Sequence, residues 1–214
     1  MAETVSVAGD GYDAARAALE RCVGDGGVAV FPADGLYGLA CDPLHRGAVE
    51  RIQALKGREA GKSSAVMYFS PLVLGELVGD LGPRVRDAAG RLLPGPVTVV
   101  VANPRHRYPL ACREDPERLG VRLIEGPLAG ARVPVFQTSA NRSGEPAPNR
   151  FADLAEPIIA GVELAIDGGE LTGAPSTVVD LSRLDEDGTW IVLREGGLSA
   201  SELEAALRIS SMTS

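Results

Sequence analysis

Apolar positions along the chain follow two periods. Between Asp13 and Val23 they recur at helical spacing, with Ala14, Ala17, Ala18 and Cys22 on one side. Gly47–Leu55 repeats the pattern through Val49, Ile52 and Leu55. Leu72–Val78 and Pro83–Leu93 read as two further helices, the second with proline at its start, where its missing N–H costs nothing. Ser199–Arg208 reads as a last helix, opened by the capping box Ser199-x-x-Glu202. Short apolar runs predict strands at Val28–Phe31, Ser64–Phe69, Val97–Ala102, Leu119–Leu123, Val135–Gln137, Leu164–Ile166, Thr177–Leu181 and Trp190–Leu193. A helical turn is expected at Pro127–Ala131. Helices and strands alternate, but several strands follow one another directly. That pattern predicts an α/β domain with a mixed sheet. No internal repeat or linker breaks it, and the core of the pattern runs from about residue 13 to residue 208 of one 1–214 domain.

Composition narrows the function classes. The 214 residues carry 29 acids against 21 Lys plus Arg, a formal net charge of −8. Broad nucleic-acid or anionic-membrane binding is therefore not expected, although a local basic pocket remains open. The longest apolar runs, near Val97–Ala102, fall far short of a membrane span, and Met1–Gly9 lacks the basic residues of a signal peptide. Cys22, Cys41 and Cys112 are odd in number and widely spaced, which points to a reducing, cytoplasmic setting. Of the 21 basic residues, 19 are Arg and two are Lys, and both lysines fall in Leu55-Lys-Gly-Arg-Glu-Ala-Gly-Lys62. A lysine kept against an arginine habit suits a compact point charge, for instance on a phosphate, and chance clustering is the alternative.

The motifs carry binding chemistry more readily than acid–base chemistry. Gly57-Arg-Glu-Ala-Gly61-Lys62-Ser63 is one residue short of a P-loop and follows a helix instead of a strand, so it is rejected as one. What remains is a positive cluster. On an extended chain Lys56 and Arg58 would point the same way and grip one polyanion, or else they belong to a solvated charged loop. Thr138-Ser-Ala-Asn-Arg-Ser-Gly144 follows the apolar strand Val133–Gln137 and offers the donors and open backbone of an anion-binding turn, or of an ordinary capped turn. Ser176 before the strand Thr177–Leu181 is a ligand donor or a strand-entry residue. Arg122 and Arg194, each at a strand end, could hold a carboxylate or lie on the surface. Cys41-x-x-x-His45 lacks the other ligands of a closed zinc site, and no nucleophile–base pair is evident. An inventory of Lys, Arg, Ser and Asn suits charge neutralisation, as in phosphoryl or nucleotidyl transfer.

Taken in order, Phe31-Pro-Ala-Asp-Gly-Leu-Tyr-Gly-Leu39, Leu55-Lys-Gly-Arg58, Leu93-Pro-Gly-Pro-Val-Thr98, Gly120-Val-Arg122, Thr138-Ser-Ala-Asn-Arg-Ser-Gly144, Asp167-Gly-Gly, Pro175-Ser-Thr-Val-Val-Asp180 and Leu193-Arg-Glu-Gly196 resemble the YrdC-like family, the threonylcarbamoyl-AMP synthases. The chain resembles the short single-domain form. The resemblance implies a twisted open sheet around a deep basic cavity. It implies a reaction in which ATP, bicarbonate and L-threonine give threonylcarbamoyl-AMP and pyrophosphate, with Mg²⁺ bridging the phosphates. It also implies a downstream threonylcarbamoyltransferase complex that modifies adenosine 37 of tRNA. On that pattern Lys56, Arg58, Ser139 and Asn141 form the catalytic nucleotide site, Lys62 and Arg194 also face ATP, and Gly35, Arg122 and Ser176 face the amino acid.

The chain departs from the family pattern in the amino-acid half. Ala33 and Gly35 stand where threonines are usual, Glu59 replaces a proline, Ile124-Glu-Gly-Pro127 replaces Pro-x-His-Pro, and Met67 aligns with a histidine. Nucleotide binding is expected to be retained and threonine preference weakened, because a hydroxyl site that loses its partner loses discrimination. Two other readings stand beside the synthase: a carbamoyl-adenylate-forming paralogue with another acceptor, and a non-catalytic nucleotide- or RNA-binding module.

Overall fold

The computed structural model describes residues 2–57, 64–112 and 114–208. In chain order its elements are β1 (Glu3–Ser6), α1 (Val7–Gly24), β2 (Ala29–Pro32), β3 (Tyr37–Cys41), α2 (Arg46–Lys56), β4 (Ala65–Tyr68), α3 (Pro71–Val78), α4 (Pro83–Leu92), β5 (Val97–Ala102), α5 (Pro109–Cys112), β6 (Arg118–Leu123), β7 (Val135–Ser139), α6 (Glu156–Ala160), β8 (Leu164–Asp167), β9 (Thr177–Asp180), α7 (Leu184–Asp187), β10 (Ile191–Arg194) and α8 (Ala200–Arg208). The strands form one sheet in the order β1-β8-β2-β3-β7-β4-β6-β5-β9-β10. Four neighbouring pairs are parallel: β1 with β8, β2 with β8, β4 with β6 and β5 with β9. The other five are antiparallel, so the sheet is mixed, as the adjacency of strands along the sequence implies.

The sequence signals explain most boundaries. The Ser199 hydroxyl and the Glu202 carboxylate cap each other's backbone N–H at the start of α8, at 3.3 and 2.9 Å. Gly57 closes α2 at φ +57, a left-handed conformation that glycine adopts without the cost of a Cβ. Pro71 and Pro83 stand at the first turns of α3 and α4. Pro127–Gly130 is a turn with i→i+3 bonds rather than a helix.

Two departures from the sequence pattern concern the first helix and a central strand. The first helix begins at Val7 rather than Asp13 and bends at Gly11, whose φ of +86 interrupts it. Its N-cap is Ser6, whose hydroxyl accepts from Gly9 N at 3.2 Å. The stretch Tyr37–Cys41, not expected as a strand, is a central one, with every residue buried. Burial on both faces erases the apolar–polar alternation by which a half-exposed strand is read.

Alternation along three strands creates the functional face. Val97, Val99 and Val101 of β5, Leu119, Val121 and Leu123 of β6, and Val179 of β9 enter the core cluster against α4 and α8. The residues between them, Thr98, Val100, Gly120, Arg122 and Val178, turn to the other face. Under β2, β3 and β4 that second face is filled by α1 through Ala15, Ala18, Leu19 and Val23, together with Phe31, Met67 and Phe69. Toward β5, β6, β9 and β10 it opens into a cleft.

Candidate active site

The cleft has a volume of about 500 Å³ and is walled by strand interiors, the 33–36 turn and the 174–176 segment. It lies on a sheet face, and Ser139 and Arg194 reach it from the ends of β7 and β10. Gly35, Arg122, Ser139, Ser176 and Arg194, all named from the sequence, line it together. Arg58 and Lys62 lie outside the described residues.

Lys56 has a different geometry from the extended pair expected of it. It is the last residue of α2 and only 4% exposed. Its ammonium donates to the carbonyl oxygens of Ser139 and of Asn141, the latter at 2.8 Å. It also reaches Ser139 Oγ at 3.4 Å and Asn141 Oδ1 at 3.3 Å. Its own carbonyl accepts from Ser143 N at 2.8 Å. Lys56 stands in helical rather than extended backbone, and among the described residues its ammonium bonds the 139–143 turn. Inside that turn Ser139 Oγ donates to Asn141 Oδ1, while Asn141 Nδ2 donates to the carbonyls of Arg142 and Glu145 at 2.9 and 2.6 Å. Lys56 thus pins the shape of the Ser-Ala-Asn turn, and Ser139 presents it to the cleft. Asn141 stands behind Ser139 and is not on the cleft wall.

Two arginines face the same space. Arg194 donates to the Ser176 carbonyl from Nε and NH2, at 3.2 and 2.7 Å, and from NH2 to Ser176 Oγ at 3.1 Å. Ser176 Oγ also lies 3.0 Å from Thr98 Oγ1. Arg122 is 6% exposed and pairs through NH2 with Asp34 Oδ2. Its NH1 has only a 3.5 Å approach to Gln137 Oε1, and its buried Nε has no hydrogen-bond partner among the described residues. Burial lowers the Arg122 pKa, the nearby Arg194 adds to that effect, and Asp34 opposes it. Burial raises the Asp34 pKa against the pull of Arg122. Burial also lowers that of Arg194.

A third arginine, Arg118, is held by Asp115 and, at 2.8 Å, by Asp180 Oδ2. Burial alone would push Asp180 up. Hydrogen bonds from Ser182 and the Arg118 guanidinium outweigh it and hold the carboxyl below the usual range. Among the described residues Arg194 is thus the cleft arginine that no carboxylate pairs, because Arg122 is held by Asp34.

Sequence reasoning did not single out Asp34, Thr98 or Gln137. Asp34 is separated from Arg122 by 88 positions, and only the fold joins them. The alternation of β5 and β7 was the available signal for Thr98 and Gln137. Gly35 has a steric explanation. A Cβ there would lie 2.1 Å from the Ala174 carbonyl oxygen and 2.7 Å from the Thr172 hydroxyl. Gly173 N also donates to the Gly35 carbonyl at 2.8 Å. Position 35 is thus closed to any side chain unless the 172–174 segment moves, so Gly35→Thr is not a clean probe of amino-acid preference.

This architecture has relatives. Residues 21–196 match the Sua5/YciO/YrdC family model, described as telomere recombination. The threonylcarbamoyl-AMP synthase of Thiobacillus denitrificans is 33% identical over 182 residues, 79% of this chain and 93% of that protein. That of Pyrococcus abyssi is 32% identical over 194 residues, 86% of this chain and 54% of that protein, so the chain spans about half the length of this relative. The crystal structure of P. abyssi Sua5 complexed with L-threonine superposes with a TM-score of 0.82 at 28% identity, covering 97% of this chain and 61% of that one.

Proposed function

The chain belongs to the Sua5/YciO/YrdC family, and from that premise we propose that it is an L-threonylcarbamoyladenylate synthase, a nucleotidyltransferase supplying the first step of adenosine-37 threonylcarbamoylation in tRNA. The observation that carries this reading is the convergence, in one 500 Å³ cleft, of two arginines without excess carboxylate and a braced Ser-Ala-Asn turn. A cleft of that kind suits a polyphosphate at Arg194 beside the carboxylate of an amino acid at Arg122.

In this reading Arg122 and Ser176 hold the amino acid, and Arg194 faces the phosphates of ATP with Ser139. Lys56 and Asn141 support Ser139 from behind. Arg58 and Lys62 complete the nucleotide site. The threonine amine and bicarbonate give a carbamate with loss of water. A carbamate oxygen then bonds to the α-phosphorus of ATP, and the bond to the β-phosphate oxygen breaks to release pyrophosphate. The chain's part is positioning and charge neutralisation, by fixed donors aimed where charge develops. Mg²⁺ fits as a companion of the polyphosphate. Among the described residues no three carboxylate, histidine or cysteine side chains gather into a cage, and Mg²⁺ is commonly held by substrate phosphates, one or two carboxylates and water. When bound, it would neutralise phosphate charge.

The product would pass to a separate threonylcarbamoyltransferase complex. No helix among the described residues is long and apolar enough to cross a membrane, which is compatible with a cytoplasmic site for this chemistry.

The test is pyrophosphate release from ATP with Mg²⁺. Release that requires both bicarbonate and L-threonine is the expected result. Release that needs neither, or ATP binding without release, overturns the reading. Replacing threonine by serine, glycine or alanine measures the preference. Equal release with all of them assigns the acceptor to a broader class, in line with Ala33 and Gly35.

A further inference from the structure

Resting on the amino-acid half of that reading, we infer that Asp34 is the receptor for the substrate's ammonium group, so that the cleft selects zwitterions over simple anions. The ion pair between Asp34 and Arg122 spans the turn between β2 and β3 and the interior of β6, and both side chains line the cleft. Asp34 keeps 20% of its side chain exposed, whereas Arg122 keeps 8%. Arg122 is a buried guanidinium with a single close carboxylate contact. Among the described residues its buried Nε has no partner, and Gln137 is only at the margin of hydrogen-bond range. Five donors are available on a guanidinium, so the described residues leave this one under-satisfied. Arg194, facing the same cleft, repels it further. A ligand carboxylate at Arg122 is therefore favourable.

The charge balance sets the condition. A simple anion that separates Arg122 from Asp34 leaves the Asp34 carboxylate unpaired in a half-dry wall, which is costly. A simple cation at Asp34 does the same to Arg122. A ligand with one positive and one negative group inserts into the pair, satisfies both sides and leaves the net charge of the cleft unchanged. An α-amino acid carries these groups on one carbon, which matches insertion into a single ion pair. The ammonium so held is also the nitrogen that must lose protons to become a carbamate.

The experiment is calorimetric titration of the whole chain with three ligands of similar shape. These are L-threonine, 2,3-dihydroxybutanoate with a hydroxyl in place of the ammonium, and L-threoninamide without the carboxylate. The expected result is that L-threonine binds about a hundredfold or more tighter than either analogue, the scale on which a built polar site rejects a ligand lacking its group. In Asp34→Asn the dihydroxybutanoate should gain on L-threonine, while in Asp34→Glu the wild-type ranking should return. Equal binding of L-threonine and dihydroxybutanoate by the wild-type chain overturns the proposal, as does an Asp34→Asn variant with an unchanged ranking. If Asp34→Asn does not fold, the wild-type ranking alone decides. Bicarbonate-dependent pyrophosphate release is scored separately. Zwitterion selection without release would sink the synthase reading and keep this inference, and release without selection would do the reverse.

Discussion

At the residue scale, close packing and paired charge decide what each position tolerates. Gly35 meets the Ala174 carbonyl so closely that a methyl group must displace backbone. Gly35→Ala is expected to lower stability by about 1–3 kcal/mol, the usual cost of overpacking, or several degrees in Tm for a chain of this size. Differential scanning calorimetry checks it, and an unchanged Tm would show that the 172–174 segment yields. Asp180 offers a test of the opposite kind. Its folded pKa lies below the ordinary carboxylate value, so its contribution is present above about pH 4 and is lost as pH falls through the folded value. Asp180→Asn keeps an acceptor for Ser182 N but loses the charge opposite Arg118. It should be less stable than wild type by about 1 kcal/mol at pH 7, and the gap should close in acid. Urea titrations at pH 7 and at successively lower pH follow the gap; one that widens in acid contradicts the assignment.

At the element scale, the end of α2 and the turn after β7 act as one unit. Gly57 stops the helix so that Lys56 is its final residue, and the buried ammonium then holds the carbonyls of Ser139 and Asn141. Lys56→Met preserves the apolar stem but leaves those carbonyls without their charged donor. Hydrogen bonds to charged groups contribute about 1.5–3 kcal/mol, so ATP affinity should fall about tenfold or more if the turn forms part of the nucleotide site. L-threonine affinity should change little, because Arg122 and Ser176 stand on β6 and just before β9. Titration with each ligand separates the outcomes. Equal losses for both would mean that Lys56 supports the whole cleft. The sequence signals at this scale were uneven. Caps and periodicity located α2, α4 and α8, whereas Arg122 was read only as a strand-end residue and the fold showed it on the cleft face of β6. The strand Tyr37–Cys41 stayed hidden because both its faces are buried, and β1 because four residues carry little periodic signal.

At the scale of the whole molecule, the mixed sheet divides its second face between packing and chemistry. Helix α1 fills one part, and the uncovered part becomes the cleft. The site residues brought together there are spread from Gly35 to Arg194, which is why local motifs named most of them without showing their partners. The Asp34–Arg122 pair, joined across 88 positions, and the Thr98–Ser176 contact, across 78, exist only once β5, β6, β9 and the β2–β3 turn are assembled. Motif order carried the family and the residue types, and the fold supplied the pairings that give those residues their charge balance. Lys56 shows the difference. Its rarity in an arginine-rich chain marked it, and the fold adds that its buried ammonium holds the neighbouring turn.

The claim that this cleft joins an amino-acid carbamate to AMP is tested most directly by isotope transfer. The protein would be incubated with ATP, Mg²⁺, L-threonine and ¹³C-labelled bicarbonate, and the nucleotide products resolved by mass spectrometry. The account expects a threonylcarbamoyl-AMP adduct that carries the ¹³C label, formed together with pyrophosphate and lost when either bicarbonate or the amino acid is omitted. Pyrophosphate release with no labelled adduct, or an adduct of unlabelled mass, would contradict it.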